Sequence, residues 1–341
     1  MNALTAIFDG ARVPFRFAEV PLPKSLGSGE LLVEMLLATI CGSDLHTHAG
    51  RRLAPTPCVL GHEGVGRVIG TGAGREHWIG KRVTWSSSDA CGRCPACTQW
   101  GLPQKCERVF KYGHASLLDR GGLSGTYSTH ILLRSGTHLV EVPEDVPDAV
   151  ASAANCSLAT MVNVTEHLPS PCHVVVVQGA GLLGLHGCAL LKERGVERVI
   201  LVDTSECRLA KVPEFGGEAL PCAAVPTGCA DVVIEVAGVP SLVKEGMRML
   251  RPGGHYFFVG MVHPDSGLQL TGEELIRGCV TVRGFHNYAP MHLERAVAFL
   301  SRSKLPWAGL VSAALPLGRL EESFALSATR RWARVSVSMV P

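Results

Sequence analysis

The 341 residues exceed the roughly 250–300 at which a single hydrophobic core stops growing, so about two domains are expected. With 46% hydrophobic and 18% charged residues the chain is neither disordered nor fibrous, and a net charge of +2 supplies no field for nucleic acid or an anionic membrane surface. No run nears the ~18 apolar residues of a membrane span. The 13 cysteines, odd in number and scattered, suit metal ligation and buried thiols in a reducing, cytoplasmic setting better than a disulfide framework.

The opening MNALTAIFDGARVPF is broken by Asp9, Gly10 and Arg12 and does not read as a signal peptide. Residues 1 to about 150 read as a β-rich domain. Short apolar runs at Leu31–Leu37, Val65–Ile69, Arg82–Trp85 and Ser128–Leu133 alternate with glycine and proline, without a long helical period. Between the first two lies Thr39–Glu63, which gathers Cys41, Ser43, Asp44, His46, His62 and Glu63. Thiolate, imidazole and carboxylate are the groups zinc prefers, and Ser and His suit a proton leaving an alcohol. A catalytic zinc keeps three protein ligands and one open place, so Cys41 and His62 need a third. Spacing leaves the adjacent Glu63 and the distant Cys156 both open. A lone cysteine is also commonly a small buried hydrophobe, and His46 and His48 read equally well as solvated loop histidines. Cys91, Cys94, Cys97 and Cys106 form C-x2-C-x2-C-x8-C, the pattern of a closed, structural tetrahedral zinc site.

Ala149–His167 has helical spacing, with Cys156 at a predicted helix start. His173–Gln178 is a continuous apolar run, as in a parallel strand buried on both faces. Gly179-Ala-Gly181-Leu182-Leu183-Gly184 follows at once and opens the helical stretch Leu185–Arg194. The next strand, Arg198–Asp203, ends in an acid 19 residues past Gly184. Strands at Asp231–Val236 and His255–Gly260, with the helix Ser241–Leu250 between them, complete the pattern of an α/β, doubly wound parallel sheet. From about Phe285 the texture changes, through the helix-like Met291–Arg302 to the strand-like Ala333–Met339. The expected division is therefore 1–150, completed by 285–341, and 151–284.

In this context the glycine run predicts a dinucleotide site. Gly179 permits the tight turn, Gly181 admits the pyrophosphate, and Gly184 lets helix and strand pack closely. Asp203 would accept hydrogen bonds from ribose hydroxyls and repel a 2′-phosphate, favouring NAD over NADP. The competing reading is an ordinary strand–turn–helix with a surface acid. Two irregularities follow. Pro213 interrupts the next helix. Only Cys222–Ala230 separates a candidate strand at Ala219–Pro221 from Asp231–Val236, where a parallel crossover needs about 10–12 residues or more. The crossover helix is expected to be missing or reduced to a loop, with weakened NAD binding as the consequence.

Taken in order, Cys41-Gly-Ser43-Asp44-x-His46, Gly61-His62-Glu63-x-x-Gly66, the cysteine quartet, Gly179-x-Gly181-x-x-Gly184 with Asp203, and Glu235-x-x-Gly238 carry a family likeness. Over essentially its full length the chain resembles the zinc-dependent medium-chain alcohol dehydrogenases, including the sorbitol and threonine dehydrogenase-like members. GRR at 50–52, RVTWS, GLPQKC, KYGH, GMVHP and HNYAP look most like the branch called phosphonate-catabolism-associated alcohol dehydrogenase. The quartet's last gap, Thr98–Lys105, is one residue longer than the family's usual one.

The resemblance implies a GroES-like catalytic domain and a Rossmann NAD-binding domain. It implies that Cys41, His62 and Cys156 hold a catalytic zinc, with Glu63 an acid that exchanges onto it and Asp44 steadying the His62 ring. Ser43 would take the substrate proton and pass it through the cofactor ribose to His46. Arg208 would lie along the adenosine and Arg334 near the pyrophosphate, Leu182 and Leu183 between the glycines, and the backbone of Val236, Val259 and Gly260 along the nicotinamide. The implied reaction moves hydride between a small-molecule alcohol or carbonyl and NAD in a homodimer or homotetramer. A structural zinc would stiffen a loop near subunit contacts.

The substrate pocket is expected near Trp85–Ser88, Lys111–His114 and His286–Tyr288. Arg51, Arg52, Lys111 and His286 are candidates for an anion cradle, since guanidinium matches phosphonate or carboxylate oxygens in bidentate fashion; they read equally as solvated surface cations. Two rival functions stand beside this one. A quinone or enone reductase on the same fold would normally lack both zinc sites. A catalytically silent, zinc-stabilised NAD-binding scaffold would need the nucleotide site only in part.

Overall fold

The computed structural model describes residues 1–339. It contains two compact units, Met1–Ala159 joined by the segment from Tyr288 onward, and Thr160–Asn287.

The first unit begins with β1 (Asn2–Ile7) and β2 (Arg16–Pro21), an antiparallel pair running from Asn2 opposite Pro21 to Ile7 opposite Arg16. Neither was apparent from the sequence pattern. β3 (Leu31–Thr39) and β4 (Glu63–Thr71) form the long antiparallel centre of the main sheet, and the short helix α1 (Gly42–His48) leaves directly from the end of β3. β5 (Arg82–Trp85), β6 (His130–Leu133) and β7 (Leu139–Glu141) extend the sheet. The core beneath it is aromatic and aliphatic, with Phe8, Trp85, Tyr112 and Tyr127 almost wholly buried. The helical stretch after residue 147 is in three pieces: an α-turn at Asp148–Ala151, a π-turn at Ala154–Leu158, and a helix at Ala159–Thr165. Wide turns of this kind insert one residue and rotate the side chains near them; Cys156 sits on the π-turn.

In the second unit β8 (Val174–Gln178), β9 (Arg198–Val202), β10 (Glu218–Ala219), β11 (Ala230–Glu235), β12 (Leu250–Phe258) and β13 (Thr281–Gly284) make one parallel sheet in the order β10-β9-β8-β11-β12-β13. The order reverses between β8 and β11. All of β11 and all but the first residue of β8 are buried, which accounts for their unbroken apolar sequences. α2 (Leu182–Glu193) starts on Gly181. A Cβ at Gly184 would lie 1.9 Å from the Gly179 carbonyl oxygen, so no other residue lets the helix start this close to the turn.

The crossover helix between β10 and β11 is absent. Residues 220–229 carry only a 3₁₀ turn at Cys222–Ala224, and Pro213 lies in another, Val212–Phe215, after the four-residue helix Glu206–Leu209. Two devices replace the helix. Val225, 1% exposed, packs in the cluster of Val176, Ile200, Val202 and Val233. Arg248, on α3 (Leu242–Met249), donates to the carbonyls of Val225 at 2.9 Å and Cys222 at 3.2 Å and to Thr227 Oγ1 at 3.2 Å. β12 begins well before the expected His255, and α4 (Gly272–Gly278) leads to β13, the outer strand of this end. The chain then returns through α5 (Pro290–Arg302), β14 (Leu315–Pro316) and α6 (Leu320–Ala328) to β15 (Ser336–Ser338), which pairs with β3.

Candidate functional site

In the first unit Cys41, His62, Glu63 and Cys156 converge, each offering one ligand atom within 4.8 Å of all the others. Cys41 caps α1 two residues past the end of β3, His62 immediately precedes β4 and Glu63 opens it, and Cys156 comes from the π-turn. Their common origin is the β3–β4 pairing, which sets Thr39 opposite Glu63. The two sulfurs lie 3.9 Å apart. Zinc–thiolate bonds of about 2.3 Å in a tetrahedron predict about 3.8 Å, so the donor set fits that ion in chemistry and spacing.

Buried supports surround the cluster. Asp44 Oδ2 accepts the Cys41 N–H and the Tyr127 hydroxyl, each at 3.0 Å, while Oδ1 lies 3.4 Å from His62 Nδ1. The ring is thereby held from behind and the other nitrogen is left for the cluster. Although burial alone would lower it, the His62 pKa is raised well above its ordinary value by Asp44 and Cys41. Asn155 Nδ2 donates to the carbonyls of His62 and Trp85, each at 2.9 Å. Glu63, wholly buried, accepts Thr39 Oγ1 at 2.6 Å and a bidentate pair from Arg334 at 2.8 and 2.9 Å. Burial pushes its carboxyl up while Arg334 pulls it down. Arg334, which the resemblance sets near a pyrophosphate, thus has its guanidinium on Glu63, with Nη2 3.7 Å from Cys41 Sγ. The Cys41 thiol is held well below its usual range by Cys156, Arg334 and His62. Tyr127, Asn155 and the pairing of Arg334 with Glu63 have no local spacing signal, because each acts across a long separation.

Ser43 and His46 lie on α1, one turn from Cys41. His46 Nδ1 accepts a hydrogen bond from Arg51 Nε at 3.0 Å, and its carbonyl accepts the N–H groups of Arg51 and Arg52. His48 is not a solvated histidine: it stacks on Phe15 with centroids 5.4 Å apart and meets Phe324 at 4.9 Å. Two of the expected pocket segments, with Tyr288 from the third, also meet in this unit. Tyr288 hydroxyl donates to the Asn155 carbonyl and accepts the Ser87 N–H, and Ser88 bridges Lys111. The His114 ring lies 5.7 Å from His62, its Nδ1 is 3.1 Å from the Tyr112 carbonyl, and its Nε2 is buried without a hydrogen-bond partner among the described residues. Burial, then Arg52 and His62, push its pKa down to about 4, so the ring is neutral. His286 lies in the second unit.

Cys91, Cys94, Cys97 and Cys106 also converge within 4.8 Å, with sulfurs 3.5 Å apart for Cys94–Cys97 and 3.8 Å for Cys94–Cys106. The N–H groups of Cys91, Cys94 and Arg108 point at sulfurs from 3.2 to 3.4 Å, and backbone donation, first from Glu107, pulls the Cys94 thiol down to about 6. The longer last gap leaves the helical turn Pro95–Thr98 and ends in a 3₁₀ turn at Pro103–Lys105. Four thiolate donors with no place left open fit a structural zinc.

In the second unit the glycine turn and the acid meet. Asp203 Oδ2 accepts the Ala180 N–H at 2.8 Å, Oδ1 accepts Ser205 N–H at 2.9 Å, and Arg208 Nη1 lies 3.8 Å from Oδ2. Leu182, buried, and the half-buried Leu183 open α2. Val236, Val259 and Gly260 follow the carboxyl ends of β11 and β12. A Cβ on Gly179 would touch Val236 at 3.1 Å, so turn and strand end are neighbours at the reversal of strand order. Open α/β sheets bind ligands at this kind of crevice.

Two family models match: one described as Alcohol dehydrogenase GroES-like domain over residues 27–144, the other as Zinc-binding dehydrogenase over 183–302. A solved alcohol dehydrogenase from Thermotoga maritima superposes with a TM-score of 0.91 at 29% identity, covering 99% of each chain. An L-threonine 3-dehydrogenase of Streptomyces coelicolor is 26% identical over 98% of both chains. A D-arabinitol dehydrogenase 1 of Uromyces fabae is 25% identical over 94% of this chain and 92% of its own. The chain belongs to the zinc-dependent medium-chain alcohol dehydrogenases. It is a zinc-dependent alcohol oxidoreductase that works with a nicotinamide dinucleotide, built from a GroES-like and a Rossmann domain. Among the described residues no helix is long and apolar enough to cross a membrane.

Proposed function

We propose that the chain oxidises a polar, anionic alcohol, such as one linked to a phosphonate, with NAD as hydride acceptor. On this reading Cys41, His62 and Cys156 hold the catalytic zinc, Glu63 exchanges onto it, and the cysteine quartet holds a structural zinc. The glycine turn with Leu182, Leu183, Asp203 and Arg208 takes the adenosine and phosphates, and Val236, Val259 and Gly260 line the nicotinamide. Residues 1–150 with 285–341 form the catalytic domain of a cytoplasmic homodimer or homotetramer. The observation that carries the reading is the buried Cys41–His62–Glu63–Cys156 cluster, backed by Asp44 and carrying Ser43 and His46 on the helix that Cys41 begins.

Zinc, when bound, supplies Lewis acidity at the alcohol oxygen, and NAD supplies the hydride acceptor. Asp44 fixes the face that His62 presents. Ser43 Oγ accepts the substrate hydroxyl proton, and His46 is the terminal base. For His46 to take that proton at Nδ1, Arg51 must leave it, and an anionic substrate offers the guanidinium better partners. Lys111 supports the same substrate class: burial, then Arg52 and Lys105, hold its pKa below the ordinary lysine value, a strain that a bound anion relieves. The buried His114 Nε2 supplies a neutral polar contact beside them.

An alcohol screen with NAD, run beside zinc analysis, tests the reading. About two zinc per chain and faster turnover of phosphonate- or carboxylate-bearing alcohols than of neutral ones are expected, with the preference lost in Arg52→Ala. Turnover of neutral alcohols alone would remove the anionic substrate. The shortened crossover favours a second reading, a weak NAD binder, which a micromolar or tighter NADH dissociation constant would contradict.

A further inference from the structure

One buried carboxylate ties together the two turns at the carboxyl ends of β11 and β12. Glu235, the last residue of β11, is 0% exposed. Its side chain accepts the N–H of Gly238 in its own turn and, at 3.3 Å, the N–H of Gly260 in the turn after β12. Its main-chain carbonyl accepts the N–H groups of Val259 at 2.9 Å and Gly260 at 3.0 Å. His263 closes the arrangement from the second turn, with Nε2 3.0 Å from the Gly238 carbonyl oxygen. Both polar backbone groups of Gly238 are therefore held by side chains.

The turns are pressed together as tightly as backbone allows. A Cβ on Gly260 would lie 2.6 Å from Gly238 N and 2.8 Å from the Val236 carbonyl oxygen; one on Gly238, at φ +72°, would lie 2.8 Å from the Gly260 carbonyl oxygen. A carboxylate is an expensive way to make a merely structural tie, because burial disfavours its charge by several kcal/mol unless its oxygens are well satisfied. Here burial raises the pKa while the N–H groups of Gly238, Val239, Gly260 and Ala237 draw it down. A glutamine in its place would offer one oxygen and turn an NH2 group against an N–H.

The tie stands beside the β8/β11 reversal of strand order, where a ligand-binding crevice forms. We propose that Glu235 is a positioning residue for the nicotinamide half of the dinucleotide, fixing the backbone of Val236, Val259 and Gly260 by joining the two turns. The proposal rests on the NAD-binding reading given above. These turns contribute to the site through backbone shape, and displacements of about 1 Å in such contacts cost up to about 10²-fold.

The experiment compares NADH with ADP-ribose, which lacks the nicotinamide, by titration against the zinc-loaded wild-type protein and Glu235→Gln. The expected result is an NADH dissociation constant raised about tenfold and an ADP-ribose constant changed by less than about twofold. Equal weakening of both ligands would reveal a general fold effect and overturn the proposal, as would no weakening of NADH. Should Glu235→Gln not fold, His263→Ala removes the partly exposed side of the tie, and the same selective loss is required, at about threefold. Wild-type protein that binds neither ligand would overturn the NAD reading itself, an outcome distinct from a wild type that binds both and a variant that does too.

Discussion

The two units build their sites from different material. In the first, chemistry is carried by side chains: thiols, an imidazole, a carboxylate and a guanidinium lie together, largely buried and packed against other side chains. In the second, the crevice is made of backbone, with glycines at 179, 181, 184, 238 and 260 and carboxylates that point inward to hold N–H groups. The first arrangement tolerates shifts of the backbone but not loss of a functional group. The second tolerates exchange of side chains other than these carboxylates, but not added volume at its glycines.

Three changes test this contrast. Cys156→Ser is expected to reduce turnover by about a thousandfold or more and to lower zinc from about two to about one per chain, with little change in the melting curve. Metal analysis and steady-state kinetics check it; retention of both zinc ions and of activity would return the third ligand place to Glu63. Gly184→Ala should act in the opposite manner. Its Cβ would press on the Gly179 carbonyl from 1.9 Å, so about 3 kcal/mol of stability and the NADH signal are lost while zinc content stays the same.

The smallest effect is expected at Asp231, at the foot of β11. Its Oδ2 accepts the N–H groups of His173 at 2.7 Å and Val174 at 2.8 Å, and Oδ1 accepts Arg251 Nε at 2.7 Å. Burial works against these contacts, but they keep the pKa below its ordinary 3.8. The unfolded chain therefore takes up the proton first as pH falls, so this stability is complete above about pH 5 and fades below 3.8 as the folded pKa is passed. Asp231→Asn should cost about 1 kcal/mol at pH 7 and nearly nothing near pH 2, as read by denaturant unfolding at both. A difference independent of pH would mean that shape, not charge, is what Asp231 contributes.

Parts of the fold that repeat a local rule were legible. β8 and β11 announce themselves because both faces are buried, and Arg82–Trp85 was found to the residue. The short crossover could be counted from the chain. β1 and β2 could not be read, since β2 is mostly exposed along its length and shows no apolar run. α1 was hidden because it lasts only seven residues and its first turn is spent on polar groups. The sequence leaves a solvated His48 as open as any other reading, because its aromatic neighbours, Phe15 and Phe324, come from far along the chain.

The sequence by itself determined which chemistries were available: two groups of soft zinc ligands, a glycine turn of the kind that admits phosphates, and an acid of the kind that suits ribose. It could do so because motif spacing reflects local geometry, which a few neighbouring residues set. Only the tertiary structure decided which groups meet. It brought Cys156, on a π-turn, 3.9 Å from Cys41, and brought Arg334 onto Glu63 across 271 residues. It also turned Glu235 from a motif letter into a bridge between two turns. Such contacts depend on strand order and register, and these follow from burial of the whole core rather than from any short stretch.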